Sequence, residues 1–540
     1  MAVARRNTPA TQNNLVIFEA SNFMGGLHYD DPPNKISDNA VSDSLNVIFD
    51  NGNIARREGL WYWAYFEPGS PIRLIDEWYD QNGNQYMIVV SDSRAWAYDV
   101  AAGTWQNITP ASQFPGGIQT LYGDLAHPVT GQGFYGYYYF TNDVDPPMYW
   151  HPGMPQAEYL TGAGAPARAT AVAAFFNHLM WFNVDDYTLG YQPQQVTWSD
   201  NQNGQVYNTG DAGIAQIEDT NDVITAVEMI FSYLCVARDK SIYVCEYIGY
   251  PFFYAFYRRV ERDGIIATRS FQKNSFYVMG LTQENIIGFD GSTEQPYIGE
   301  PIRDDLFSGV LDPLAANDVL GSFHAKFDIA AQKYRLFTSH RVDGETETEY
   351  AYSVKFNNWS KHRYAFPITA IGTADVKSYM TWDEATRQWQ VSTVQWRSPT
   401  SAPLSTNVFY GDMTGQVYST LGQDYTDDGV SMDAWFVSKA YEFHHPDWIK
   451  ELQRIQFIMS GSTKATLNCH VYSSEDGFNF HEALNSPLIV DATSDPMPYV
   501  DVFCTGQWFQ IMVEDINPGE YFEIWSIRFA YEPLFRRTIA

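Results

Sequence analysis

One short pattern recurs along the chain and limits its fold more than any other feature. It is an apolar run, a tight polar turn, a second apolar or aromatic run, and often an acid. It reads YMIVVSDSRAWAYD from Tyr86, YYYFTNDVDPPMYW from Tyr137, and HLMWFNVDD from His178 with QQVTWSD beyond a loop. It continues as YLCVARDKSIYVCEY from Tyr233 and FYVMGLTQENIIGFDG from Phe276. YRLFTSHRV from Tyr334 pairs with EYAYSVKFNNWSKH beyond an acidic loop, and NVFYGDMTGQVYSTL from Asn407 is the last. The seven starts lie about 53 residues apart on average, a spacing in the range of repeat architectures.

Many of these runs are continuously apolar instead of alternating, which marks strands covered on both faces, although a short buried helix segment gives the same pattern. The turns supply Asp, Asn, Ser and Gly, residues that favour tight turns. Hairpins at this spacing point to a β-propeller, whose four-stranded blades bury their faces only against neighbouring blades. The irregular spacing allows six to eight blades, with seven favoured, and the gap from Tyr334 to Asn407 has room for another hairpin. Trp105 and Trp359 each follow an apolar strand and are expected to dock between blades. Aromatic residues make up 16% of the chain, a usage that suits pleated, half-buried surfaces.

The remaining segments divide the chain. EPIRDDLFSGVLDPLAAND from Glu300 has room for one short helix. After about residue 430 the pattern becomes alternating: KELQRIQFIMSG, ATLNCHVYSSEDG, VDVFCTGQWFQIMVED and YFEIWSIRFAYEP read as strands of a compact antiparallel sandwich. The polar, acidic stretch Gly422 to Met432 is the boundary. The expectation is an all-β chain with three parts. Residues 1–60 form an arm and hairpin packing on the propeller, 61–425 the propeller, and 430–540 a C-terminal β-sandwich.

The charge is lopsided. Lys plus Arg number 33 against 64 Asp plus Glu, a net charge of −31. A sequence-reading DNA binder carries a basic footprint, so this composition argues against one. There is no apolar stretch near the roughly 20 residues of a membrane-spanning helix, and MAVARRNTPATQNN at the start lacks the apolar core of a secretory signal. Four cysteines, Cys235, Cys245, Cys469 and Cys504, show no zinc-like spacing and are expected to be reduced and buried in a protein made in a cytoplasm.

Catalytic, cofactor-binding and metal-binding residues are expected to be absent. His444, His445 and Asp447 cluster in FHHPDW, but adjacent strand residues point to opposite faces. FNVDD, NDVDPP, YTDDG and IEDTND are acidic loops with no calcium-loop spacing. No nucleophile elbow, phosphate loop or HExxH motif occurs, and with 64 acids no glycosidase pair can be singled out.

Before the first repeat stands GGLHYDDPPNKISDNAVSDSLNVIFDNGNIARREG, from Gly25. Ser42 or Asp43 is placed to cap a short helical turn. LNVIF and IARRE read as two strands joined at Asn51-Gly52, a signal for a type I′ turn with φ > 0 at both residues. Arg56 and Arg57 are expected to meet carboxylates at a packing seam. The segment resembles the N-terminal motif of tail hub or nozzle proteins from short-tailed, podovirus-like bacteriophages, through Gly25, Gly26, Asp38, Asn39, Asn46, Val47, Arg56 and Gly59. That family usually ends the motif in Arg-Pro-Gly, where this chain has Arg57-Glu58-Gly59. The C-terminal strands also look like the sandwich that follows the propeller in such proteins.

The resemblance implies a structural virion protein and not an enzyme. Its copies, usually six, form a ring below the portal and adaptor, which continues the DNA channel, retains packaged DNA and permits its ejection. The implied partners are further copies, portal and adaptor proteins, tail fibre or needle proteins, and DNA passing without sequence-specific contact. The implied location is the phage tail, after synthesis in the host bacterial cytoplasm. The rival readings are a carbohydrate- or receptor-binding propeller and, below it, a propeller glycosidase.

Overall fold

The computed structural model describes residues 15–66, 70–112, 117–292, 296–307, 320–338, 347–377, 404–420, 425–517 and 519–536. The described chain is nearly all strand, arranged in many small antiparallel sheets, an organisation that fits a β-propeller. It divides into two compact units: residues 1–57, 356–360 and 432–540, and residues 58–355 and 361–431.

Seven sheets follow one another along the second unit. Sheet 1 holds Ile72–Tyr79, Gln85–Ser91, Ala95–Asp99 and Thr104–Asn107 in chain order. Sheets 2, 3 and 4 open on Thr130–Phe134, Arg168–Phe175 and Ile224–Ile230 and have four strands each. Sheet 5, opening on Gln272–Lys273, has three, with a single bridge from Ile287 to Tyr297 beyond them. Sheet 6 opens on His324–Asp328 and sheet 7 on Ile368–Lys377. The last place in sheet 7 is taken by Trp61–Tyr65, from the start of the unit. The first strand of each sheet touches the first strand of the next, and that of sheet 7 touches that of sheet 1. The first strands therefore form a closed ring.

This arrangement explains the unbroken apolar runs. Every residue of Gln85–Ser91 is buried. Ile88 and Val90 join a core with Tyr138, Phe140 and Trp150 of sheet 2. Met87 and Val89 join another with Phe409 and Val417 of sheet 7. One strand thus feeds two cores through alternate residues, and each such side chain contributes about 1.5–3 kcal/mol by burial. Trp105 packs between sheets as expected: it lies on the outer strand of sheet 1, with its ring 5.5 Å from that of Trp63 in sheet 7. Cys235 and Cys245 sit on paired neighbouring strands, as the hairpin reading required. The four cysteines are free thiols; burial raises each, Cys235 to about 12. The short helix appears at Arg303–Phe307; the rest of that segment, to residue 319, lies outside the described residues, as do 378–403 in the long gap and 421–424 at the boundary.

The first unit contains two sheets. One runs Val47–Ile48, Ile54–Arg56, Glu523–Arg536, Trp448–Met459, Tyr499–Gly506, with Val16–Ser21 also on Glu523–Arg536. The other runs Gly26–Leu27, Ala40–Leu45, Trp435–Ser438, Trp508–Asp515, Thr466–Ser474, His481–Glu482, with Leu488–Asp491 also on Thr466–Ser474. Burial alternates along them; Leu467, Cys469 and Val471 point inward. Phe443 stacks on Phe509 of one sheet and Tyr531 of the other, at 5.3 and 4.7 Å.

The strands of the opening segment pair with strands beyond residue 430 and belong to their sheets. One expectation for this segment needs correction. Ser42 caps no helix. It lies in Ala40–Leu45, and its hydroxyl donates to the Ser438 carbonyl at 3.1 Å, because cross-strand pairing supplies the backbone partners that a helical turn would. The hairpin is present: Val47 faces Arg56, and Asn51 and Gly52 have φ of 56° and 80°. Its connection, Phe49 to Asn53, is longer than the two residues expected. At Gly52 a Cβ would stand 2.6 Å from Asn22 Oδ1. Gly52→Val is therefore expected to cost more than about 1 kcal/mol, seen as a lower melting temperature; an unchanged one contradicts the turn assignment.

Candidate functional site

The motif residues of the opening segment converge on places where their chemistry is required. The Gly25 N–H donates to the Asn39 carbonyl at 3.0 Å, and a Cβ there would stand 2.8 Å from the same oxygen. Gly26 has φ of 66° and lies against the backbone of Trp359, which is buried. The Asp38 carboxylate accepts from Lys439 Nζ at 2.6 Å. Asn46, at φ 55°, donates from Nδ2 to the Asp433 carbonyl at 2.7 Å and accepts from Arg57 Nε at 2.9 Å. Arg56 is buried and pairs with Asp515, and it also donates to the Glu520 carbonyl at 3.0 Å. Burial raises the Asp515 carboxyl, against the lowering by its own hydrogen bonds and Arg56. Arg56 thus meets a carboxylate, and Arg57 an amide oxygen. Gly59, in the second unit, lies so close to Thr426 that a Cβ would overlap its carbonyl oxygen at 2.0 Å. Gly59→Ala is expected to cost about 2 kcal/mol as an overpacked contact with backbone, measured by denaturant unfolding; a neutral result would mean that the 426 segment gives way freely.

A cavity of about 640 Å³ lies on the ring of first strands and is lined by all seven sheets. This is the size of a small-molecule pocket. Three ion pairs stand at its wall: Lys326 Nζ is 3.4 Å from Asp76, Lys273 Nζ 3.1 Å from Glu228, and Arg73 Nε 2.7 Å from Asp92. Asp76 also accepts from Tyr138 OH at 2.9 Å. Arg269 is buried here. It donates to the carbonyls of Arg73 at 2.6 Å, Thr369 at 3.1 Å, Gly321 at 3.1 Å and Ser322 at 3.3 Å, so one guanidinium joins the first strands of sheets 1 and 7 to the segment entering sheet 6. Burial, then Arg73, lowers its pKa. His324 beside it is held well below its ordinary value by burial and then by Arg269, so its imidazole is neutral. None of these residues was singled out in the sequence. The available signal was charge inside short strands, as in IRLIDEWY and HAKFD.

Another buried cluster surrounds Glu349. The carboxylate accepts from Arg335 Nη1 at 2.9 Å, His362 Nδ1 at 3.1 Å and Tyr364 OH at 2.5 Å. Acid, base and hydroxyl meet here, but none of the four lines the cavity, and the network joins three strands of sheet 6 to the residue after it.

The other candidates are dispersed. His444 has an exposed side chain 3.9 Å from Asp38, and Asp447 pairs with Arg536 at 3.1 Å. His444, His445 and Asp447 sit in a turn and not on a strand, so the alternation argument does not apply to them. Among the described residues, no three His, Cys, Asp or Glu side chains are placed to hold a metal ion. Carboxylates of the acidic loops have partners within the protein: Asn142 Nδ2 donates to Asp145, Asp186 accepts from the N–H groups of Thr188 and Leu189, Asp222 pairs with Arg238, and Asp427 accepts from Leu60 N–H. Among the described residues, no helix is long and apolar enough to cross a membrane.

No family model matches the chain, and no curated protein does. Solved structures similar to parts of it include the computationally designed Ika8 protein, at 11% identity and a TM-score of 0.34, covering 67% of this chain and 99% of that one. Another is the WD40 domain of Pan2 from Neurospora crassa, at 9% identity and a TM-score of 0.34, covering 65% and 88%.

Proposed function

We propose that the chain is a structural virion protein of a short bacteriophage tail. Its seven successive sheets are the blades of a seven-bladed propeller, and the two sheets of the first unit are a β-sandwich. Copies of it, six by the resemblance, close into the nozzle or hub ring that continues the DNA channel below the portal and adaptor. The ring retains packaged DNA, permits its ejection, and carries fibre or needle proteins. The chain is not an enzyme in this reading, and it acts in the phage tail after synthesis in the host bacterial cytoplasm.

The observation that carries the reading is the role of the motif residues. Gly26, Asp38, Asn46 and Arg56 each make a defined contact within the opening segment's own unit, which supports a shared motif over a chance match. The cavity is consistent with the reading in one respect: at about 640 Å³ it is too small for a duplex, so the DNA passage runs between copies and not along a propeller axis. That passage is expected to be lined by acidic and neutral polar groups, because each Lys or Arg contact with phosphate adds salt-dependent attraction. Replacing several lumen acids by Lys should slow genome release, most of all at low salt. The test is fractionation of virions: the chain should copurify with portal and adaptor as a ring of fixed stoichiometry. Its absence from particles, or glycan binding or turnover by the isolated chain, would favour the rival readings.

A further inference from the structure

We infer that His470 is a proton-operated clasp that fastens segment 475–487 to the sheet beneath it in the first unit. The inference stands apart from the ring reading. His470 lies on Thr466–Ser474, on the face opposite the buried Cys469 and Val471. Its Nδ1 stands 2.7 Å from Glu482 Oε1, on His481–Glu482 to one side. Its Nε2 stands 3.3 Å from Glu514 Oε1, on Trp508–Asp515 to the other. A neutral imidazole carries one N–H, so it donates to one of these carboxylates and turns a lone pair on the other. Only the imidazolium donates to both.

The surroundings favour that charged form. Burial lowers the His470 imidazole, but the hydrogen bonds and charges of Glu482 and Glu514 outweigh it, so its pKa is raised. The hydrogen bonds from His470 and then Ser486 lower the Glu482 carboxyl in turn. Strand register gives the other groups on this face. Asn468 and Tyr472 share the strand of His470, and Met512 lies directly across from it. Ile489 and Asp491 flank it on Leu488–Asp491, and Asp43 lies further across the same row. Asp491 accepts from the Thr493 N–H and Asp43 from the Ser44 N–H, while Lys464, before the strand, donates to the Thr493 carbonyl at 3.1 Å. The charges that act on the ring are those of two carboxylates.

Glu482 is the hub of the segment that it holds. It also accepts from Ser486 Oγ at 2.9 Å, and Ser486 Oγ accepts from the N–H of Val471, beside His470, at 3.1 Å. The backbone pairing here is two residues long, Tyr472 with Glu482 and Ser473 with His481, extended by the Ala483 N–H on the Val471 carbonyl. Asn485 Nδ2 adds a bond to the Val502 carbonyl at 3.0 Å. A pairing this short opens locally at small cost, so its side-chain bonds govern how often it does. The segment carries two exposed apolar side chains, Phe478 and Leu484. A histidine in a released segment titrates near 6.5, and the clasped one titrates higher. The contribution of the clasp is therefore complete below about pH 6.5 and is lost as the pH rises through the higher, clasped value. The segment is fastened in acid and loosened in alkali.

The experiment uses the full chain as wild type, His470→Gln and Glu482→Gln. Brief digestion with chymotrypsin, which cuts after large apolar residues such as Phe478, Phe480 and Leu484, reads release of the segment by mass spectrometry. The rate of cutting within 475–487 in each variant is divided by the wild-type rate at the same pH, which cancels the protease's own pH dependence. The ratio should be about 3–5 at about pH 6 and approach 1 at about pH 9. In parallel, NMR of the histidine-labelled chain, with the His470 signal assigned by its loss in His470→Gln, should show this ring titrating above about 6.5 and returning toward that value in Glu482→Gln. A ring that titrates at or below about 6.5 would overturn the inference. So would a cutting ratio that does not change with pH, which would make His470 a fixed structural contact. A wild-type segment that resists cutting at every pH would overturn it as well.

Discussion

Arg269→Met is expected to lower the stability of the second unit by at least about 3 kcal/mol, as a shift in the urea unfolding midpoint. The methionine keeps much of the apolar length but removes every donor. Four carbonyls, on Arg73, Thr369, Gly321 and Ser322, then lose charge-assisted partners in a place where the Arg269 side chain is buried. A buried acceptor left without a donor costs about 1–3 kcal/mol, and the carbonyls of Arg73, Thr369 and Gly321 are exposed to that fate at once, while that of Ser322 keeps His324 Nδ1 at 2.9 Å. Arg269→Lys should fall between, because three donors on a point charge do not reproduce a planar fork spanning four acceptors. A loss below about 1 kcal/mol for the methionine variant would mean that water reaches these carbonyls and that the ring of first strands is not held from its axis.

Glu349→Gln is expected to cost about 3 kcal/mol at neutral pH and to flatten the loss of stability in acid. Burial alone would raise the Glu349 carboxyl. The Arg335 guanidinium, with His362 and Tyr364, outweighs it and holds the group well below the usual carboxylate range. An unfolded glutamate titrates near 4.3, so as the pH falls the unfolded chain takes up this proton first. The contribution of Glu349 is therefore complete above about pH 5 and is lost progressively below it. The gap between wild type and Glu349→Gln should narrow as the pH falls. Arg335 keeps a second carboxylate, Asp328 at 3.3 Å, which places the cost at the lower end for a broken buried pair. Parallel acid limbs for the two proteins would contradict the assignment.

The parts of the fold legible in the sequence were those with two covered faces. Each recurring unit corresponds to the second and third strands of a sheet, where neighbouring sheets bury alternate residues on both sides. First strands were invisible for the opposite reason. They line the cavity and pack against neighbours, and several carry charge or glycine within the strand in place of an apolar run. Thr130–Phe134 reads TGQGF, and its glycines leave room for Tyr138 and Trp78, which a Cβ would meet at 2.0 and 2.3 Å. Arg269 could not be foreseen either, because its partners are backbone carbonyls up to 196 residues away, which no side-chain pattern marks. The seam at Arg56 was legible, since a buried arginine in an acidic chain needs a carboxylate, but its partner, Asp515, is set by the pairing of distant strands. Ser42 was misjudged because a serine before an apolar run suits a helix cap and a half-buried strand equally well. The Glu349 network was hidden by its spread over three separate stretches of the chain.

The most direct test of the tail-ring account is electron microscopy of the short tail from purified virions, at a resolution that places this chain. The account predicts a closed ring of copies below the portal and adaptor. Its central opening should be wide enough for a duplex, bounded by the outer surfaces of several copies and poor in Lys and Arg. A tail without the chain, or a ring whose passage is lined mainly by Lys and Arg, would contradict it.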